Sequence, residues 1–124
     1  MILVLDDNIF RHKTIRGRVD AVIDSAFTYT QAVGLLGKTK YDTIYLDHDL
    51  GDFHTPDKKI EGGVAKEFTG YDVCLWMVEN DIDCPEIIIQ SVNPVGAKRM
   101  LDYLSQFYPK VYWQPFQYED EDED

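Results

Sequence analysis

The sequence predicts an α/β domain, a doubly wound five-stranded parallel sheet with four helices, and three observations predict it. Short apolar runs recur along the chain, segments with helical spacing separate them, and polar or ionisable residues close the runs. Strictly alternating strands and helices leave few arrangements besides a parallel sheet, because right-handed crossovers carry the helices onto its faces. With 124 residues, 44% of them hydrophobic, the chain has the size of one domain with a usable core.

MILVL at 1–5 is apolar, too short for a helix and closed by Asp6 and Asp7, as a buried parallel strand is. AVIDSAF at 21–27, TIYL at 43–46, EIIIQSV at 86–92 and VYW at 111–113 repeat the theme. Asn8 suits the N-cap of a first helix near 9–18, and Thr30 that of a second over QAVGLLGK, which Gly34 and Gly37 weaken. Val73, Trp76, Met77 and Asn80 follow a helical spacing for a third. The fourth begins with Asn93 and Pro94 at its cap and first position. Ala97, Met100, Leu101, Leu104 and Phe107 or Tyr108 form its apolar stripe.

The connection from Leu50 to Thr69 breaks the pattern, since α/β connections usually take about 2–6 residues. A segment this long either covers a site or is a tolerated insertion. His54, Lys58, Lys59 and Lys66 would let a covering loop offer cations to an anionic ligand. Residues 1–118 therefore read as one domain with an inserted loop at 50–69.

The formal net charge is −11, but EDEDED at 119–124 carries six of the negative charges, so the body is only mildly acidic. That run repels itself and reads as a disordered tail. An acidic body argues against nonspecific nucleic-acid binding, which depends on Lys and Arg displacing counterions from phosphates. No apolar stretch approaches the roughly 20 residues of a membrane-spanning helix. Cys74 and Cys84, without a recognisable leader, suit reduced thiols in the cytoplasm.

In open parallel sheets ligands bind beyond the carboxyl ends of the strands. There the sequence places Asp6 and Asp7, then Asp47, His48 and Asp49, then Ser91 to Asn93, then Gln114. If the first and third strands are neighbours, Asp6, Asp7 and Asp47 converge with Asp49 close by. Two like charges about 4 Å apart repel by roughly 4 kcal/mol at an effective dielectric near 20. Either some carboxyls stay protonated or a cation sits among them. An all-oxygen set with room for water suits Mg²⁺ or Mn²⁺ better than Zn²⁺. Taken singly, these aspartates suit turns and caps equally well. If the third strand continues that far, alternation points His48 to the other face, and it is either a general acid or base or a buried, backbone-bonded side chain.

SVNPVGAKR at 91–99 opens the fourth helix, and its free N–H groups, Ser91, Asn93, a close approach at Gly96, and the charges of Lys98 and Arg99 together describe an anion site. A plain Asn cap followed by Pro accounts for the same residues. A phosphate held there lies beside a metal held at 6, 7 and 47. The aromatics Tyr45, Tyr71, Trp76 and Trp113 read as core, with base stacking as the alternative.

The acids at 6, 7 and 47, Ser91 after the fourth strand and QPF at 114–116 resemble response-regulator receiver domains over nearly the whole chain. That resemblance implies the flavodoxin-like strand order 2-1-3-4-5, Mg²⁺ held by the three acids, and a strand-three Asp that accepts a phosphoryl group. Two departures stand out. Gln114 takes the place of a Lys that in receivers contacts the phosphoryl group, and the fifth helix is missing. LDD at 5–7, LDHDLG at 46–51, TGYDV at 69–73, NPVGAKRM at 93–100 and the closing PF look more specifically like the cyclic-phosphate processing receiver family. Many of its members carry His where this chain has Gln90.

The resemblance implies Mg²⁺-dependent phosphoesterase-like processing of a small phosphate-containing ligand such as a cyclic nucleotide. Asp6, Asp7 and Asp47 then hold the metal, Asp49 or His48 handles water, and Ser91, Asn93, Lys98 and Arg99 hold the phosphate. The alternatives are a module that sequesters a cyclic nucleotide without chemistry and a degenerate phosphoacceptor receiver.

Overall fold

The computed structural model describes residues 1–51 and 58–117. Its elements run β1 (Ile2–Leu5), α1 (Ile9–Arg18), β2 (Ile23–Ala26), α2 (Tyr29–Leu36), β3 (Thr43–Leu46), β4 (Lys58–Glu61), β5 (Val64–Glu67), α3 (Gly70–Glu79), β6 (Glu86–Ile89), α4 (Pro94–Leu104) and β7 (Val111–Trp113). Five strands form one parallel sheet in the order β2-β1-β3-β6-β7, the expected 2-1-3-4-5 when only its own strands are counted. The tail at 119–124 and His54 lie outside the described residues.

Strand alternation divides the core in two. Leu3, Leu5, Ile44, Leu46, Ile87 and Ile89 face α2, α3 and α4, and pack with Ala32, Leu36, Val73, Met77, Met100 and Leu104. Val4 and Ile23 face α1, where Ile15 and Phe116 close a smaller cluster. Each fully buried Leu or Ile contributes about 1.5–3 kcal/mol. This double cover buries the central strands up to their last residues, Leu5, Leu46 and Ile89, and the site begins there.

The first and fourth helices start where the sequence places them, and the third begins at Gly70, ahead of the spacing that marks it. Asn8 Oδ1 accepts from Phe10 N at 2.8 Å, and Asn93 Oδ1 from Gly96 N at 3.2 Å. Thr69 N donates to Asp72 Oδ2 at 2.8 Å as α3 begins. The second helix starts earlier than expected, capped by Thr28 rather than Thr30. Thr28 Oγ1 accepts from Gln31 N at 3.2 Å while Gln31 Oε1 accepts from Phe27 N at 2.8 Å, a reciprocal arrangement that wins over the later start.

The connection from Leu50 to Thr69 is not wholly irregular, because β4 and β5 pair as an antiparallel hairpin. Gly62 and Gly63 turn it at φ 60° and 79°, backbone angles that glycine adopts without steric cost. Its ladder is largely exposed on both faces, so no hydrophobic alternation marks it in the sequence. Two of the hairpin lysines pair away from the acids at the strand ends. Lys59 pairs with Asp72 at 2.6 Å and Lys66 with Glu61 at 3.3 Å.

Candidate functional site

The sheet ladder continues one residue past the strands and thereby sets the rim. Asp6 N donates to Ala26 O at 3.1 Å, Asp47 N to Leu5 O at 2.9 Å, Gln90 N to Leu46 O at 2.8 Å and Gln114 N to Ile89 O at 2.8 Å. Backbone pairing thus positions Asp6 and Asp47 independently of their side-chain contacts. His12, buried in α1, adds a second hold on Asp6: its Nε2 lies 2.7 Å from the Asp6 carbonyl. A carbonyl only accepts, so Nε2 carries the proton and Nδ1 accepts from Ser25 Oγ at 2.9 Å. Burial lowers the His12 pKa, which favours this neutral form.

Carboxylate oxygens of Asp6, Asp7 and Asp47 lie within 4.8 Å of one another, the one such cluster suited to a metal among the described residues. Asp6 and Asp47 are both buried. Burial, countered by the Asn8 N–H and Arg11, raises the Asp6 carboxyl to about 6. Burial and then the Asp6 charge raise Asp47 to about 8. Two buried acids held back from ionising, with a third beside them, fit a hard divalent cation. The donors are all oxygen, which suits Mg²⁺ or Mn²⁺.

Besides the Asn8 N–H, two side chains outside the acidic cluster engage it directly. Gln90 Nε2 donates to Asp6 Oδ2 at 2.9 Å, so the residue just before Ser91 is a buried amide oriented on a carboxylate. Arg11 Nη1 lies 3.4 Å from Asp6 Oδ2 and 3.7 Å from Asp47 Oδ2. Helical spacing makes Arg11 legible once Asn8 is taken as the cap, since it lies one turn into α1 on the side of the rim. Removing the amide in Gln90→Ala leaves a buried carboxylate oxygen short of a donor, at an expected cost of about 1–3 kcal/mol. Urea unfolding in EDTA checks this, and an unchanged midpoint contradicts it.

A cleft of about 310 Å³ opens over the cluster, lined by Asp7, Asn8, Arg11, Asp47, Asp49 and the Glu67–Thr69 end of the hairpin among others. Glu67 rests against Gly51, so the hairpin brings a carboxylate to the cleft where the sequence suggested lysines. Asp49 reaches the cleft wall and pairs with His48 Nδ1 at 2.8 Å and with Asn93 Nδ2 at 3.4 Å. The His48 ring packs on α4 at Gly96, where a Cβ would come within 2.5 Å of it. The close approach expected at Gly96 is therefore made by His48. Ser91 is buried, and its Oγ accepts from Asn93 N at 3.0 Å.

Lys98 and Arg99 do not join this group. Lys98 pairs with Asp102 at 2.9 Å, and the Arg99 guanidinium stacks 4.2 Å from the Tyr71 ring centroid. A larger cavity of about 750 Å³ lies at Lys40–Asp42, Asp81–Pro85 and Phe107–Pro109, near the amino ends of the strands. Its volume exceeds that of the rim cleft, but it lies far from the convergent carboxylates on which chemistry depends.

Residues 1–106 match the family described as the Cyclic-phosphate processing Receiver domain. The chain belongs to that family. Among curated relatives it is similar to the Detocs response regulatory protein DtcB of Enterobacter cloacae, 25% identical over 111 residues, which cover 85% of this chain and 74% of that protein. Solved receivers share the fold. The Thermotoga maritima response regulator TrrA, in complex with Mg²⁺ and BeF, superposes with a TM-score of 0.62 at 17% identity, over 95% of this chain and 89% of that one. A Burkholderia pseudomallei response regulator with a phosphorylated aspartic acid, a calcium ion and citrate gives 0.58 at 19% identity, over 94% and 60%. Among the described residues of this receiver no helix is long and apolar enough to cross a membrane.

Proposed function

We propose that this receiver hydrolyses a small cyclic phosphate, such as a cyclic nucleotide, in a reaction that depends on Mg²⁺ or Mn²⁺. The observation that carries this reading is the convergence of Asp6, Asp7 and Asp47 within 4.8 Å under an open cleft. These three acids hold the metal, which when bound supplies Lewis acidity toward a phosphoryl oxygen and an acidified water. Asp49, exposed at the cleft wall and oriented by His48 and Asn93, accepts a proton from water. Asn93, whose amide already reaches Asp49, offers a donor to the phosphate. Ser91 acts through the Asn93 backbone that it holds, while Lys98 and Arg99 contribute charge along α4 rather than contact.

A second reading, phosphoacceptor signalling at Asp47, is favoured by the position of that acid directly after β3 and by the phosphorylated aspartate of the Burkholderia relative. One experiment separates the two. The protein is incubated with a panel of cyclic phosphodiesters and with acetyl phosphate, in Mg²⁺ or in EDTA, and both ligand and protein are weighed by mass spectrometry. Ring-opened product that forms only with the metal is the expected result. Unchanged cyclic ligands with a phosphoryl adduct on Asp47 decide for the second reading. Intact ligands recovered from the protein mean sequestration, and product formation in EDTA overturns the proposal.

A further inference from the structure

The rim is short of positive charge for an anionic ligand. Asp6, Asp7 and Asp47 together carry one more negative charge than a divalent ion neutralises, so a phosphate approaching the loaded cluster still meets a net negative centre. After the last strand the rim offers Gln114, neutral and exposed, and so no charge.

Four of the other candidate cations are engaged elsewhere. Lys59 pairs with Asp72, Lys66 with Glu61 and Lys98 with Asp102, while Arg99 lies over Tyr71. Among the described residues that line the cleft, Arg11 is the one Lys or Arg. Its side chain is 15% exposed, and Nη1 reaches both Asp6 and Asp47. The guanidinium lies 5.2 Å from the centroid of Phe116, the aromatic that packs between α1 and the sheet. Arg11 is therefore placed by packing at the mouth of the acidic cluster, on the wall that a phosphate must pass.

We propose that Arg11 is the anion-contacting cation of this site, supplying from α1 the charge that Gln114 does not supply after β7. In the metal-free protein it bridges Asp6 and Asp47. With a divalent ion among the acids, the guanidinium turns from carboxylate to phosphoryl oxygen, and its planar fork suits either partner. The inference rests on the reading that a phosphate is handled at this rim.

The test measures binding of beryllofluoride and of inorganic phosphate to the full chain at saturating Mg²⁺, by calorimetry and fluorine NMR. Arg11→Ala and Arg11→Gln are expected to weaken both probes about 10- to 100-fold, the range of a lost charge-assisted hydrogen bond. Arg11→Lys, which keeps the charge but not the fork, recovers part of that loss. The Gln variant keeps polarity and length, so it carries the test if the Ala variant fails to fold. Wild-type affinity in both neutral variants overturns the role of Arg11 and leaves the proposed function standing. A wild-type protein that binds neither probe with Mg²⁺ also overturns the role of Arg11, and the proposed function falls with it only if the cyclic phosphodiester panel gives no metal-dependent product.

Discussion

Asp47→Asn is expected to abolish metal-dependent turnover and, in the same protein, to raise the thermal midpoint measured in EDTA. Asp47 is 4% exposed, and burial followed by the neighbouring Asp6 charge pushes its carboxyl up to about 8. Asn keeps the shape and removes the charge that the fold resists. The pH dependence follows from the direction of the shifts. Asp6 and Asp47 are both raised above the ordinary value of 3.8, so the stability they contribute is complete below about pH 4. It is lost as pH rises through about 6 and then about 8.

In EDTA the advantage of the Asn variant over wild type should therefore widen from pH 4 to pH 8. Mg²⁺ should reverse it, because a ligand present at 100 times its dissociation constant adds about 2.7 kcal/mol to the state that binds it. A partner of a metal ligand is worth about 10- to 100-fold in affinity or activity, so loss of a ligand itself should cost at least that. Scanning calorimetry at the two pH values, with and without Mg²⁺, checks the stability half. Turnover of the cyclic phosphate panel checks the other. A variant that gains no stability in EDTA, or that Mg²⁺ stabilises as much as wild type, contradicts the account.

The rim was legible in the sequence because it needs only two facts: where a strand ends and which residue follows. Apolar runs of four or five residues mark the strand ends well, and Asp6, Asp7 and Asp47 fall directly after them. Residues further from a strand end were placed less well. Ser91 stands on the rim but turns inward to hold Asn93, since the cap of α4 draws its hydroxyl toward the backbone. Lys98 and Arg99 lie four and five residues into α4, and helical geometry carries them round to Asp102 and Tyr71. The hairpin at 58–67 buries too little to leave a period, and only Gly62 and Gly63 signal its turn. Arg11 carried a usable signal, its place one turn after the cap Asn8.

Gly70→Ala should be the most damaging small substitution in the domain, because of where α3 begins. The first residue of that helix donates its N–H to His48 O at 2.8 Å, which seats the helix against the end of β3. A Cβ at residue 70 would overlap the Asp47 carbonyl oxygen and lie 3.0 Å from Met100 Cε. Methionine can move aside. The carbonyl cannot, since Asp47 is tied to β1 through its own N–H. Either α3 retreats and loses its bond to His48, or Asp47 tilts away from Asp6 and Asp7.

Overpacking of this kind costs about 1–3 kcal/mol and sometimes more. Alanine is the better helix former by about 1 kcal/mol, too little to offset contact with a fixed backbone atom. A net loss near 3 kcal/mol, the upper end of that overpacking range, is expected in urea, together with weaker Mg²⁺ binding, because both escape routes move a ligand or its support. Gly34 in α2 is the control, an exposed position in the helix interior where an added Cβ would meet nothing within 4 Å. There the same substitution should stabilise by about 0.5–1 kcal/mol and leave Mg²⁺ affinity unchanged. Equal effects at the two glycines would show that helix propensity, and not the contact between α3 and Asp47, governs both sites.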